Sequence, residues 1–289
     1  MLKFRLIHLL PIILISIFAW SFTLLFTSSN IKLSQPLLAP LQDLPKSTSP
    51  SIAFTNITPY LNSFIFIIII CITGYCLFYL LSRFKSNIRY FTIIILWLSS
   101  FMLTSFSIVL LSLNLVNYIG PDYLITIVNY RYVIGAIFGS FIVLPLFRER
   151  ELSSLLSSSY LGSGLGVLMG ASLPFWTTII LLISISIFDI YAVKFGYLKN
   201  LNKLNISQLR GFIIQFRGLG LGLGDVFFYS LIIYFAFSNF GFISGISATF
   251  GLIIGFIFTL LILNKHHLVP ALPSSLFCGL FFILISILL

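Results

Sequence analysis

Acidic residues are nearly missing from this 289-residue chain: six aspartates and glutamates stand against sixteen lysines and arginines, and charged residues of all kinds make up only 8%. So little charge beside 59% apolar residues excludes a soluble globular domain. Cysteine is also scarce. Cys71, Cys76 and Cys278 all fall within apolar runs with no C-x-x-C or Cys/His ligand spacing, which excludes a disulfide framework and a zinc site. His266 and His267 are adjacent, and adjacent side chains on a helix point apart. No metal and no cofactor is expected. The net charge of +10 does not imply nucleic acid, because the basic residues fall singly or in twos and threes between apolar runs, as topology determinants do.

What the chain has in abundance is hydrophobic length. Apolar runs of about 20 residues, enough to cross a bilayer, predict nine spans near residues 5–27, 60–82, 90–116, 123–147, 153–172, 175–196, 219–239, 241–263 and 270–289. The first is longer than a usual signal core and is closed by no A-x-A site, so an uncleaved helix is expected. Residues 28–59, with Pro36, Pro40, Pro45 and Pro50, read as an irregular external loop carrying one glycosylation sequon at Asn56-Ile57-Thr58. Counted by segment, thirteen basic residues fall on one side and two, Lys32 and Lys46, on the other. The positive-inside rule then places the N-terminus in the cytoplasm and the C-terminus outside. Arg131, the sixteenth basic residue, lies inside the fourth span between Tyr130 and Tyr132, where a tyrosine hydroxyl, a backbone carbonyl or the interface can satisfy it.

The expected architecture is an all-α polytopic protein forming a single membrane domain over 1–289. Residues 1–196 hold spans one to six, 197–218 a cytoplasmic loop, and 219–289 spans seven to nine. Gly162, Gly166 and Gly170 in the fifth span, and Gly241/Gly245 and Gly251/Gly255 in the eighth, have the four-residue spacing of close helix packing.

Only two acidic residues fall inside apolar spans, Asp189 and Asp225. Carboxylates are costly in lipid and mark function by default. Asp189 lies ten residues before Lys199, roughly 15 Å if helical, and Asp225 eight residues after Arg217, roughly 12 Å on the same assumption. Two consecutive antiparallel spans therefore carry their carboxylates at similar depth. Ser186 and Ala192 flank Asp189 at three residues and Gly222 precedes Asp225 by three, small residues that permit close approach. Two carboxylates face to face cannot both ionise easily and share a proton, so that one can act as base on a water while the other polarises a carbonyl. Gly218-Leu219-Gly220-Leu221-Gly222-Leu223-Gly224 leads into Asp225 with the period of a strand, which predicts an unwound approach able to pair with an extended peptide. The residues fit an intramembrane endopeptidase or, alternatively, a proton- or cation-coupled transporter or channel using the same carboxylates.

Phe188-Asp189, Gly222-Leu223-Gly224-Asp225 and Pro270-Ala271-Leu272-Pro273, in order on spans six, seven and nine, together resemble the intramembrane aspartyl proteases of the presenilin and signal peptide peptidase family, with their Tyr-Asp, GxGD and PAL motifs. The resemblance implies a catalytic dyad of Asp189 and Asp225. It also implies that Gly222, Leu223 and Gly224 shape the site and bind substrate, with Pro270, Ala271, Leu272 and Pro273 packed beside it. Transmembrane segments of other proteins or signal-peptide remnants are the implied substrates, within the lipid bilayer and at the cell membrane. The inferred orientation and Pro273 after the PAL motif match the presenilin-like branch. Phe188 stands where the family usually has tyrosine, and the short connection between spans six and seven resembles the archaeal members, so that single-chain activity without obligate partner subunits is the expectation.

Overall fold

The computed structural model describes residues 6–29, 31, 39–83, 88–119, 121–148, 150–194, 211–263 and 269–289. A 3-10 turn (Leu6–Leu9) leads into α1 (Leu10–Ser28). There follow α2 (Pro50–Thr55), α3 (Thr58–Arg83), α4 (Ile88–Ile119), α5 (Pro121–Asn129) and α6 (Arg131–Val143), the last extended by a 3-10 turn (Leu144–Phe147). Next come α7 (Glu151–Ser172), α8 (Phe175–Lys194), a hairpin of β1 (Ile213–Phe216) and β2 (Leu219–Gly222), α9 (Leu223–Phe240), α10 (Phe242–Leu263) and α11 (Leu272–Leu288). Seven of these helices are long and apolar enough to cross a membrane, and Arg131–Phe147 and Leu272–Leu288 are shorter apolar helices. The chain is an integral multi-pass membrane protein. Runs such as Phe66 to Ile70 would favour a strand in water. In lipid a span must satisfy its own backbone donors and acceptors, and α3 is helical throughout.

The bundle is arranged around α9. Val226, Tyr229, Leu231, Ile232, Ile233 and Ala236 are fully buried, and α1, α7, α8, α10 and α11 all pack on this helix. The α7 glycines make the tightest of these contacts: Gly162 faces Val226, Gly166 faces the Phe227 carbonyl and Gly170 faces Tyr234. Gly251 and Gly255 likewise bring α10 onto the backbone of α11 at Cys278 and Ser274. Gly241 departs from the packing expectation. It has φ of +89° and open space around it, and it ends α9 in a backbone conformation that favours glycine.

The fourth predicted span is interrupted at Tyr130, which separates α5 from α6. There Arg131 donates to the Tyr132 hydroxyl at 2.8 Å and lies over the same ring, the tyrosine partnership its neighbours suggested. Between α1 and α3, the described residues 39–57 make more defined contacts than their prolines imply. Asp43 accepts the backbone N–H and the hydroxyl of Thr177 at 2.8 and 3.0 Å, satisfying a donor of the first turn of α8. Lys46, three residues on, bonds the Asn239 carbonyl in the last turn of α9 and packs over Phe175 and Phe240. One short segment thus complements the positive end of α8 and the negative end of α9. The end of the sixth predicted span at 195–196 and the part of the expected cytoplasmic loop at 197–210, with Lys199, lie outside the described residues, as do His266 and His267.

A Cβ at Gly255 would lie 2.4 Å from the Ser274 carbonyl oxygen and 2.5 Å from the Ser275 Cα, whereas one at Gly74 would meet nothing within 4 Å. Backbone cannot retreat as a flexible side chain does. Gly255→Ala is expected to destabilise the protein by about 1–3 kcal/mol and Gly74→Ala to cost nothing, as read by thermal unfolding in detergent.

Candidate active site

The glycine-rich approach to α9 is a strand, as its alternation predicts. β1 and β2 pair antiparallel with Ile214 opposite Leu221 and Phe216 opposite Leu219. These four side chains are buried, whereas Gln215 and Gly220 are exposed. Arg217 and Gly218 form a two-residue connection with φ of 51° and 82°, both positive, as the right-handed twist of a tight hairpin requires. A left-handed conformation is unfavourable at arginine. Its N–H donates at 3.0 Å to Oε2 of Glu151, the first residue of α7, which fastens the turn to the bundle.

Beyond β2 the hairpin runs directly into the helix. Leu223 N–H donates to the Phe212 carbonyl at 2.8 Å, and Gly222, with φ of −74° and ψ of 144°, is the residue that begins α9. Asp225 lies three residues on in the first turn, and its Oδ2 accepts the Gly222 N–H at 3.0 Å. This is the reach-back half of a capping box. The stretch from Arg217 to Asp225 is therefore not the helix assumed in the depth comparison, because alternating glycines favour the extended backbone at no steric cost.

Asp189 stands near the end of α8 and is satisfied by the same kind of donor. Its Oδ2 accepts the N–H of Leu272 at 3.2 Å, and Leu272 opens α11. N–H groups in a helix's first turn have no carbonyl within the helix. Pro273, in that same turn, has no N–H to leave unsatisfied. Asp189 and Asp225 are each half-buried and lie within electrostatic reach of each other. Among the described residues each uses one oxygen on main chain, leaving the second free of hydrogen bonds.

The structure therefore brings Asp189, Asp225, Gly222, Ala271 and Leu272 into one region. Pro270 is half-buried and Pro273 buried beside them. Leu223 packs on the bundle core, and Gly224 is exposed, with open space where a Cβ would be. Phe188 packs against the core without a polar role. Two residues escaped the sequence reading. Tyr229 is fully buried one turn beyond Asp225, close to both carboxylates, and donates to the Ala271 carbonyl at 3.0 Å. Its four-residue spacing from Asp225 was the available signal. Glu151 had none, since nothing local announces a carboxylate bonded to a turn 66 residues away.

Replacing Glu151 by alanine leaves the Arg217 N–H without its acceptor. Losing about 1 kcal/mol of hydrogen bonding should accelerate amide exchange at Arg217 roughly fivefold and leave α10 unchanged, as measured by hydrogen–deuterium exchange. Unaltered exchange at Arg217 would show that the turn does not depend on Glu151.

No protein-family model and no curated protein matches the chain. Solved structures do. A presenilin family intramembrane aspartate protease solved in space group C222 superposes with a TM-score of 0.64 at 15% identity, over 97% of this chain and 97% of that one. A structure of a presenilin family intramembrane aspartate protease in space group P2 gives the same TM-score and identity over 99% and 98%. The chain has the fold of the presenilin-family intramembrane aspartate proteases.

Proposed function

We propose that this protein is a presenilin-like intramembrane aspartic endopeptidase that hydrolyses peptide bonds within transmembrane segments of other proteins or signal-peptide remnants. The observation that carries this reading is the pair Asp189 and Asp225, contributed by consecutive helices, within electrostatic reach of each other and each anchored by a backbone N–H. The similarity of fold to intramembrane aspartate proteases supports it.

In this mechanism the two carboxylates share one proton. The ionised member takes a proton from a water, whose oxygen attacks the scissile carbonyl carbon while the protonated member donates to the carbonyl oxygen. Collapse of the tetrahedral intermediate breaks the C–N bond as the first carboxylate passes the proton gained from water to the departing amine and the second takes a proton back from a hydroxyl of the intermediate, which restores the singly protonated pair. Gly222 and Leu272 hold the carboxylates in register, and Tyr229 fixes Ala271 beside them. The substrate must be extended, because a helix hides its peptide bonds in its own hydrogen-bond ladder. The β1–β2 hairpin offers a strand edge for it, and Gly220 and Gly224 leave its backbone room to approach. Leu223, Pro270 and Pro273 complete the walls. The positive-inside bias supports a cytoplasmic N-terminus, with nine spans in the cell membrane and the dyad nearer the cytoplasmic face. The chain acts without an obligate partner subunit.

Asp189→Asn and Asp225→Asn should each lower kcat for a single-span substrate by at least about 100-fold, the lower end of what acid–base groups contribute. The wild-type rate should be bell-shaped in pH, falling both when the pair is doubly protonated and when it is doubly ionised. Retained cleavage by either variant would refute the dyad.

A further inference from the structure

Arg131, one turn before Ile134 on α6 and with its guanidinium over the Tyr132 ring, and an apolar groove that begins at Ile134 are not used by the proposed chemistry. The groove, about 620 Å³, lies between α1, α4, α6 and α7, within the range of about 300–1,000 Å³ typical of ligand sites. On α6 it is lined by Ile134, Phe138, Phe141 and Ile142. These residues follow Arg131 at three, seven, ten and eleven positions, the spacing of a single helix face. Phe138 and Phe141 are 59% and 68% exposed, so the groove opens outward, toward the membrane.

Length and charge define what fits. From residue 131 to residue 142 the helix rises roughly 16 Å, about half of the ~30 Å hydrocarbon core of a bilayer. From Arg131 to Arg148, across α6 and its 3-10 extension, the distance is roughly 27 Å, which sets the two arginines near opposite boundaries of that core. Tyr130 and Tyr132, 60% and 54% exposed, accompany Arg131 as aromatic residues accompany a membrane interface. Among the described residues the Arg131 guanidinium bonds the Tyr132 hydroxyl and pairs with no carboxylate. A guanidinium carries five donors and a full charge, so the bonds it makes within the chain leave most of its capacity unused. Phosphate is the anion a bilayer supplies at that depth.

We infer that Arg131 and the α1/α4/α6/α7 groove form a binding site for one anionic phospholipid, its phosphate on the guanidinium and one acyl chain along Ile134, Phe138 and Phe141. The site is independent of the carboxylate pair and stands whether or not the chain is a protease.

Native mass spectrometry of the purified protein tests it, with added phosphatidylglycerol as probe and diacylglycerol of the same chains as the phosphate-free control. One phosphatidylglycerol should be retained per wild-type chain, roughly fivefold less by Arg131→Gln and to near wild-type extent by Arg131→Lys. Ile108→Trp, which fills the groove from α4, should abolish retention. Diacylglycerol should be held no better by wild type than by Arg131→Gln. Equal retention of phosphatidylglycerol by wild type and Arg131→Gln would overturn the site, as would full retention by a folded Ile108→Trp protein. Melting temperature in detergent identifies which variants are folded; if the glutamine variant is not, retention of diacylglycerol by wild type equal to that of phosphatidylglycerol would overturn the site in its place.

Discussion

In hydrocarbon an N–H or carboxylate without a partner costs several kcal/mol, and the central region of this protein is built from the places where helices leave such groups over. The first turn of a helix presents donors that no carbonyl of its own can meet. Here Gly222 at the start of α9 and Leu272 at the start of α11 give those donors to Asp225 and Asp189. Two unfavourable features, orphan donors and intramembrane carboxylates, offset one another. Because both acceptors are met by backbone, their positions are set by where two helices begin and not by flexible side chains.

Close packing then fixes those beginnings relative to each other. The α7 glycines admit α9 to backbone distance, the α10 glycines do the same for α11, and Tyr229 ties α9 to the residue preceding α11. At the opposite ends of α8 and α9, Asp43 and Lys46 hold the two carboxylate-bearing helices through one loop. The hairpin closes the remaining side, its turn fastened to α7 through Glu151. Restraint at both ends limits the relative sliding that would separate two half-buried acids.

Much of this was legible in the sequence because membrane physics narrows the choices. Apolar length gave the helices, the rarity of acids singled out Asp189 and Asp225, and the Gly-Leu alternation indicated a strand before α9. Where the reading fell short, the cause was an interaction with no local signature. The break at Tyr130 falls between Asn129 and Arg131, a polar interruption that does not by itself distinguish a broken helix from a continuous span carrying a satisfied arginine. Gly241 has the spacing of a packing glycine but serves a helix end, which depends on its φ. Asp43, Lys46 and Glu151 bond partners 134, 193 and 66 residues distant, and such pairings are visible only once the helices are placed.

The most direct test is to incubate the purified protein with a single-span peptide in H₂¹⁸O and to map the products by mass spectrometry. Hydrolysis by a carboxylate-activated water predicts new C-termini inside the span, each carrying one ¹⁸O from a single turnover, and no such products when Asp225 is asparagine. Internal products that persist in the asparagine variant, or cuts confined to the flanking polar residues, would contradict it.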